Sequence, residues 1–148
     1  MTTFRTGDMW SVVNDVDFFV VTANSYIKQS GALVMGRGIA RQLRDTLPVF
    51  AKTAGMLVNR KCGHLGEYNL LICDGLGLLQ VKYDFRDQAD IELIRRSIDT
   101  LREHAEARPG DTYAVNYPGI GNGRIDRTDE LEQIVSSLPD NVQVWTYE

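Results

Sequence analysis

Residues 16–24 read VDFFVVTAN. Positions 16–22 form an unbroken β-rich apolar run, which reads as a strand buried on both faces and therefore as part of a sheet covered by helices on both sides. Working outward, Ile39, Leu43 and Leu47 recur at i, i+4 and i+8, so a helix follows and Pro48 ends it. Residues 50–58 continue as a second short helix. Positions 67–73 (EYNLLIC) and 76–83 (LGLLQVKY) are strand-like and flank Asp74-Gly75, a hairpin signal. The clearest helix is 91–105, where Ile91, Ile94, Ile98, Leu101 and Ala105 make one apolar stripe ended by Pro109-Gly110. Residues 112–117 (TYAVNY) are a strand. A short helix at 129–138 then carries Leu131, Ile134, Val135 and Leu138 on one side. Thr128 is its expected N-cap, and Asp129 and Glu130 suit the positive end of its dipole. Residues 142–147 (VQVWTY) close as a strand. Strands alternating with helices predict a three-layer α/β/α domain, and the hairpin makes its sheet mixed, with about six strands.

The chain has 148 residues, the size of one domain spanning 1–148. Sixteen Lys+Arg against twenty Asp+Glu leave a net charge of −4, which argues against a nucleic-acid or anionic-membrane surface as the main partner. Apolar content of 43% with 24% charged excludes disorder, and a core of this size needs no disulfide staples. Cys62 and Cys73 form no CxxC pair, and with His64 they are three soft ligands without a fourth, so no metal and no cofactor is expected. Free thiols, no apolar run of about 20 residues and no apolar core in the opening MTTFRTGDMW lead to the expectation of a cytoplasmic, monomeric protein without membrane contact.

Ligands of such sheets sit at the C-terminal strand ends. Two loops there carry glycines. The first runs from Ala23 to Gly38 and includes Ala23-Asn24-Ser25 and Met35-Gly36-Arg37-Gly38-Ile39-Ala40; the second reads Pro118-Gly119-Ile120-Gly121-Asn122-Gly123-Arg124-Ile125-Asp126. Glycines let backbone N–H groups come close to a ligand, and a helix start adds partial positive charge, so the pair suits a diphosphate gripped from both sides. Arg41 stands where a dinucleotide fingerprint needs a third Gly or Ala, and no Gly-Lys-Ser/Thr occurs, so neither the Rossmann nor the Walker motif applies.

These residues resemble those of the macrodomain, the ADP-ribose-binding α/β/α module, over nearly the whole chain. Gly7-Asp8-Met9 is similar to its opening motif, Val20-Val21-Thr22-Ala23-Asn24 to its strand ending in Ala-Asn, and the two glycine loops to its own pair. Within the family the sequence is most similar to the compact branch holding terminal ADP-ribose protein glycohydrolase and the ADP-ribose-1″-phosphate phosphatases. It departs from that branch in a longer segment at 27–34 and in one extra residue between Gly123 and the following acid.

The resemblance implies a ligand set of Asp8, Met9, Ala23, Asn24, Met35, Gly36, Gly38, Ile39, Pro118, Gly119, Ile120, Gly121, Asn122 and Gly123. Asp8 would accept a hydrogen bond from the adenine amino group, and Asn24 would orient a ribose hydroxyl or a water. Lys82, on the face of its strand shared with Gln80, matches a lysine that attacks the anomeric carbon in the glycohydrolase. Asp126 is the candidate acid–base partner. Tyr26, Tyr83, Phe85 and Tyr117 are candidates to cover the base or the distal ribose. His64 lies in a Gly-rich turn and His104 within a helix, and neither supports a Ser/His/Asp arrangement.

Three functions remain open on these residues. The first is hydrolysis of an ADP-ribose derivative, either a C1″ phosphate ester or a glycosidic bond to an acidic side chain or a DNA base. The others are non-catalytic reading of ADP-ribose and scavenging of ADP-ribose-like signals. The expected partner is ADP-ribose or an ADP-ribosylated substrate, with nucleic acid only if it is ADP-ribosylated.

Overall fold

The computed structural model describes residues 2–147, the side chain of Asn122 apart. Six strands make one mixed sheet: β1 (Thr3–Thr6), β2 (Phe18–Ala23), β3 (Leu70–Cys73), β4 (Leu76–Gln80), β5 (Tyr113–Asn116) and β6 (Val142–Thr146). Their order is β1-β6-β5-β2-β4-β3, and every neighbouring pair is parallel except β3–β4. Asp74 turns that hairpin with φ of 54°. Four α-helices cover the sheet: α1 (Gly38–Thr46), α2 (Phe50–Val58), α3 (Ile91–Glu106) and α4 (Asp129–Val135).

Alternation along β2 explains its unbroken apolar run. Phe18 and Val20 face α3 and α4, with Ile94, Ile98, Leu101, Leu131 and Val135. Phe19 and Val21 face α1 and α2, with Leu43, Ala51, Ala54 and Val58. A strand with a helix layer on each side has no polar face to offer. The caps follow the expected chemistry. Thr128 Oγ1 accepts the Leu131 N–H at 3.2 Å, and Asp90 Oδ1 accepts those of Glu92 and Leu93 at 2.9 and 3.1 Å.

Strand β1 pairs only with β6 and is exposed along most of its length, so no periodicity announces it. After α2 the chain widens into a π-turn, Asn59–His64, where the sequence alone places His64 in a Gly-rich turn. The long segment at 27–34 is a small hairpin clamped by Lys28 N–H to Ala32 O, Val34 N–H to Tyr26 O, and Leu33 N–H to Ala51 O of α2.

Gly55 of α2 makes that docking feasible, since a Cβ there would lie 1.9 Å from the Gly31 carbonyl oxygen. Alanine is the better helix former by about 1 kcal/mol, yet the clash is with backbone and outweighs it. We expect Gly55→Ala to destabilise the fold by about 1–3 kcal/mol, a fall of roughly 2–12 °C in Tm. Thermal unfolding checks this, and an unchanged or raised Tm contradicts it.

Candidate functional site

The four strands joined in parallel to a neighbour at the centre and right of the sheet, together with β1, all end on one side, and a cleft runs across those ends. The β2–β5 ladder stops at Val20–Val115. Beyond it the strands part, and the Asn116 side chain takes over the pairing: Oδ1 accepts the Thr22 N–H at 2.9 Å and Nδ2 donates to Thr22 Oγ1 at 2.8 Å. The cleft opens over this pair. It has two lobes that share Gly38, Ile39, Asn116 and Ile120.

The smaller lobe is about 280 Å³ and holds Ala23, Asn24, Met35, Gly36, Arg37, Lys82, Phe85, Gly119 and Gly123. Its wall includes the start of α1, which no side chain caps: Arg37 at the N-cap makes no capping bond. The first N–H groups of α1 therefore face the cleft with their dipole, an arrangement suited to an anion. Opposite, Gly119 and Gly121 adopt φ of 87° and 65°. A Cβ on Gly119 would lie 2.6 Å from Ile125 Cδ1, so this position needs glycine on two counts. The loop is tied down by Ile125 N–H to Gly119 O and by Ala89 N–H to Gly123 O.

Lys82 lies just beyond β4. Its Nζ donates to Phe85 O at 3.4 Å. Burial first, then the charges of Arg124 and Arg37, hold its ammonium below the usual lysine range, against weaker opposition from Asp87 and Asp84. Asn24 is 8% exposed and largely engaged: its Oδ1 accepts the Tyr26 N–H at 2.8 Å and its Nδ2 donates to Val34 O at 2.9 Å. One N–H and one lone pair of its amide are left for a ligand. At the rim Tyr26 meets Phe85 edge-on at 5.3 Å, and the Arg86 guanidinium lies 5.3 Å from the Tyr26 ring. Paired to Arg86, the Asp84 carboxyl is held down at about 2.

The larger lobe is about 610 Å³ and lies between Asp8-Met9-Trp10, Gln42, Gly121, Arg127 and the end of β6 at Trp145, Thr146 and Tyr147. Asp8 caps the 3₁₀ turn Met9–Val12, its Oδ1 accepting the Trp10 N–H at 3.0 Å. Trp10 Nε1 donates to Gln42 Oε1 at 2.9 Å. Tyr117 is buried and donates its hydroxyl to Glu132 Oε1 at 2.5 Å, while Arg127, bonded to the same carboxylate, lies 4.2 Å over its ring. Burial and that carboxylate push the Tyr117 phenol well above its ordinary range.

The fold thus gathers most of the expected ligand set around one cleft. Pro118 is buried and lines neither lobe. Asp126 is exposed, also lines neither lobe, and has its carbonyl engaged by the Thr128 N–H at 3.0 Å. The side chain of Asn122 lies outside the described residues. Tyr83 packs on Tyr68 at 5.0 Å and accepts from Arg96 Nη2 at 2.6 Å, on the outer side of the Lys82 segment. The cleft is also lined by Thr22, Arg37, Asn116, Arg127 and residues 145–147, which the expected ligand set does not include. Asn116 ends a strand next to Tyr117, which was the only signal it offered. Among the described residues no three His, Cys, Asp or Glu side chains cluster as metal ligands, and no helix is long and apolar enough to cross a membrane.

Solved structures give the comparison. The macrodomain of Thermus aquaticus DarG superposes with a TM-score of 0.71 at 22% identity, over 100% of this chain and 98% of that one. The chain has the macrodomain fold. The Thermosipho africanus DarTG in complex with ADP-ribose matches with a TM-score of 0.70 at 16% identity, over 97% of this chain and 41% of that one. A macrodomain protein from Streptomyces coelicolor matches at 0.59 and 14% identity, with 100% of both chains covered. No family model matches the sequence, and no curated protein does.

Proposed function

We propose that this macrodomain binds ADP-ribose along the two-lobed cleft and hydrolyses an ADP-ribose derivative at the distal ribose. One observation carries the reading. A single cleft has a carboxylate, Asp8, at one end, a half-buried amine, Lys82, at the other, and an uncapped helix start facing a glycine loop between them. ADP-ribose has the matching order of groups: base, diphosphate, sugar. The solved DarTG complex with ADP-ribose, on the same fold, supports the ligand.

In this reading Asp8 accepts from the adenine amino group with the oxygen capacity left after its Trp10 bond. The α1 start and the Gly119–Gly121 backbone hold the diphosphate, and Asn24 faces the distal ribose. Lys82 acts there as a neutral amine. Its Nζ forms a bond to C1″ as the bond from C1″ to the departing oxygen breaks, and that oxygen takes up the proton that the newly cationic nitrogen gives up. Water then displaces the amine, giving ADP-ribose and restoring the lysine. Burial and the two arginines favour the neutral form; the incoming diphosphate opposes them. Asp126 stands apart from the lobes and takes no step here.

Binding is tested first. Gly121→Glu sets a negative side chain against the diphosphate and abolishes ADP-ribose binding by calorimetry; wild-type affinity would refute the loop assignment. Asp8→Ala removes a charged acceptor worth about 1.5–3 kcal/mol, so Kd rises roughly 10- to 150-fold. An unchanged Kd would take Asp8 out of the site. Chemistry is tested with ADP-ribose-1″-phosphate and with ADP-ribosylated protein as substrates. Lys82→Ala lowers kcat at least ~100-fold while ADP-ribose still binds. Because the neutral amine is the active form, kcat/KM of the wild type rises with pH through a midpoint below the ordinary lysine value of about 10.4. A rate that falls as pH rises through that range would instead show the lysine acting as a cation.

A further inference from the structure

Beneath the Lys82 end of the cleft lies a buried polar cluster that no step above uses. Gln80 is fully buried, at 0% exposure. Its Oε1 accepts the Asn69 N–H at 2.7 Å, and its Nε2 donates to Ser25 Oγ at 2.6 Å and lies 3.3 Å from Cys62 Sγ in the π-turn. Its main-chain carbonyl accepts from Ser97 Oγ of α3 at 2.7 Å. An amide taken wholly out of water is costly unless bonded, and an apolar side chain of similar volume would fill the same space without that demand.

What the amide holds is specific. Gln80 is the last residue of β4, paired with Ala23 at the end of β2. Lys82 is two residues further on. Val81 N–H donates to Ala23 O at 2.9 Å, and Ser25 N–H donates to Tyr83 O at 3.2 Å. The Gln80–Ser25 bond therefore closes a ring formed by residues 80–83 and 23–25. Lys82 sits in one arc of that ring and Asn24 in the other. Both line the same lobe, from segments beyond the named strands that these two backbone bonds still join.

We propose that Gln80, acting through Ser25, is the positioning residue that sets Lys82 and Asn24 at their working separation. This rests on Lys82 being the reacting amine. Loss of the bond would leave the two segments joined by backbone bonds alone, so that the amine shifts and takes up water.

Ser25→Ala tests this with little risk to the fold, since it keeps the backbone bond to Tyr83. Ser25→Thr restores the hydroxyl, and Gln80→Met removes the amide at similar volume. Four quantities are read: kcat on the better substrate, Kd for ADP-ribose, Tm, and the pH midpoint of Lys82 acylation by acetic anhydride, followed by mass spectrometry. We expect Ser25→Ala and Gln80→Met to lower kcat at least tenfold and to move the acylation midpoint up toward that of ordinary lysine. Kd should stay within about twofold, and Ser25→Thr should recover both readouts. An unmoved midpoint overturns the proposal. So does a kcat loss that Ser25→Thr does not recover, or one that only tracks a falling Tm. If the wild type binds ADP-ribose yet turns nothing over, the hydrolytic reading fails, and the acylation midpoint alone decides whether Gln80 positions Lys82.

Discussion

The parting of β2 and β5 beyond Val20 and Val115 is the constraint on which the cleft depends. Two parallel strands can separate only if the N–H and C=O groups released from the ladder find other partners. Asn116 meets that demand at Thr22, its Oδ1 accepting the backbone N–H while its Nδ2 is anchored on the Thr22 hydroxyl. β2 is also where the chain changes direction across the sheet. From it the chain passes through α1 and α2 to β3 and β4 on one side, then through α3 to β5 on the other. The helix starts and loops that follow these strands therefore diverge over the gap and leave a crevice between them. The two lobes meet at Asn116 because the gap opens there.

The charge of the site runs against that of the chain. The sequence carries −4 overall, yet Arg37 and Lys82 line one lobe and Arg127 the other, and α1 presents an uncapped start between them. Local field, not net charge, governs an enclosed anion. Most of the ion pairs elsewhere lie on exposed helix surfaces, where each contributes little. Burial, and after it the charges of Arg124 and Arg37, hold the Lys82 ammonium below the usual lysine range. A half-buried amine under the influence of two arginine charges loses its proton before an ordinary surface lysine does.

Much of this protein was legible in its sequence because the relevant signals are local. The stripe at Ile91, Ile94, Ile98 and Leu101 specifies a helix face within one element, and Thr128, Asp74-Gly75 and Pro48 punctuate their neighbours. The glycine loops are equally local, since a backbone that must take φ of 87° at Gly119 leaves its mark as glycine. The short exposed edge strand β1 and the π-turn at 59–64 have no such periodic signature.

What only the tertiary structure decided is who meets whom. Strand order is set by non-local pairing and by burial on two faces, which no single segment encodes. That order puts β6 beside β1 and so brings residues 145–147 to Asp8. It places Gln80 against Ser25, far apart in the chain, as a hydrogen-bonded pair in the core. It also commits most of the Asn24 amide to the turn that carries it, and leaves Asp126 on the surface. The sequence by itself determined the periodic strands and helices, the Thr128 cap and the two glycine loops, because backbone preference and apolar periodicity act over a few residues. The cleft, its two unlike ends and the polar cluster beneath Lys82 come from packing those elements together, where the burial of one segment dictates the partner of another.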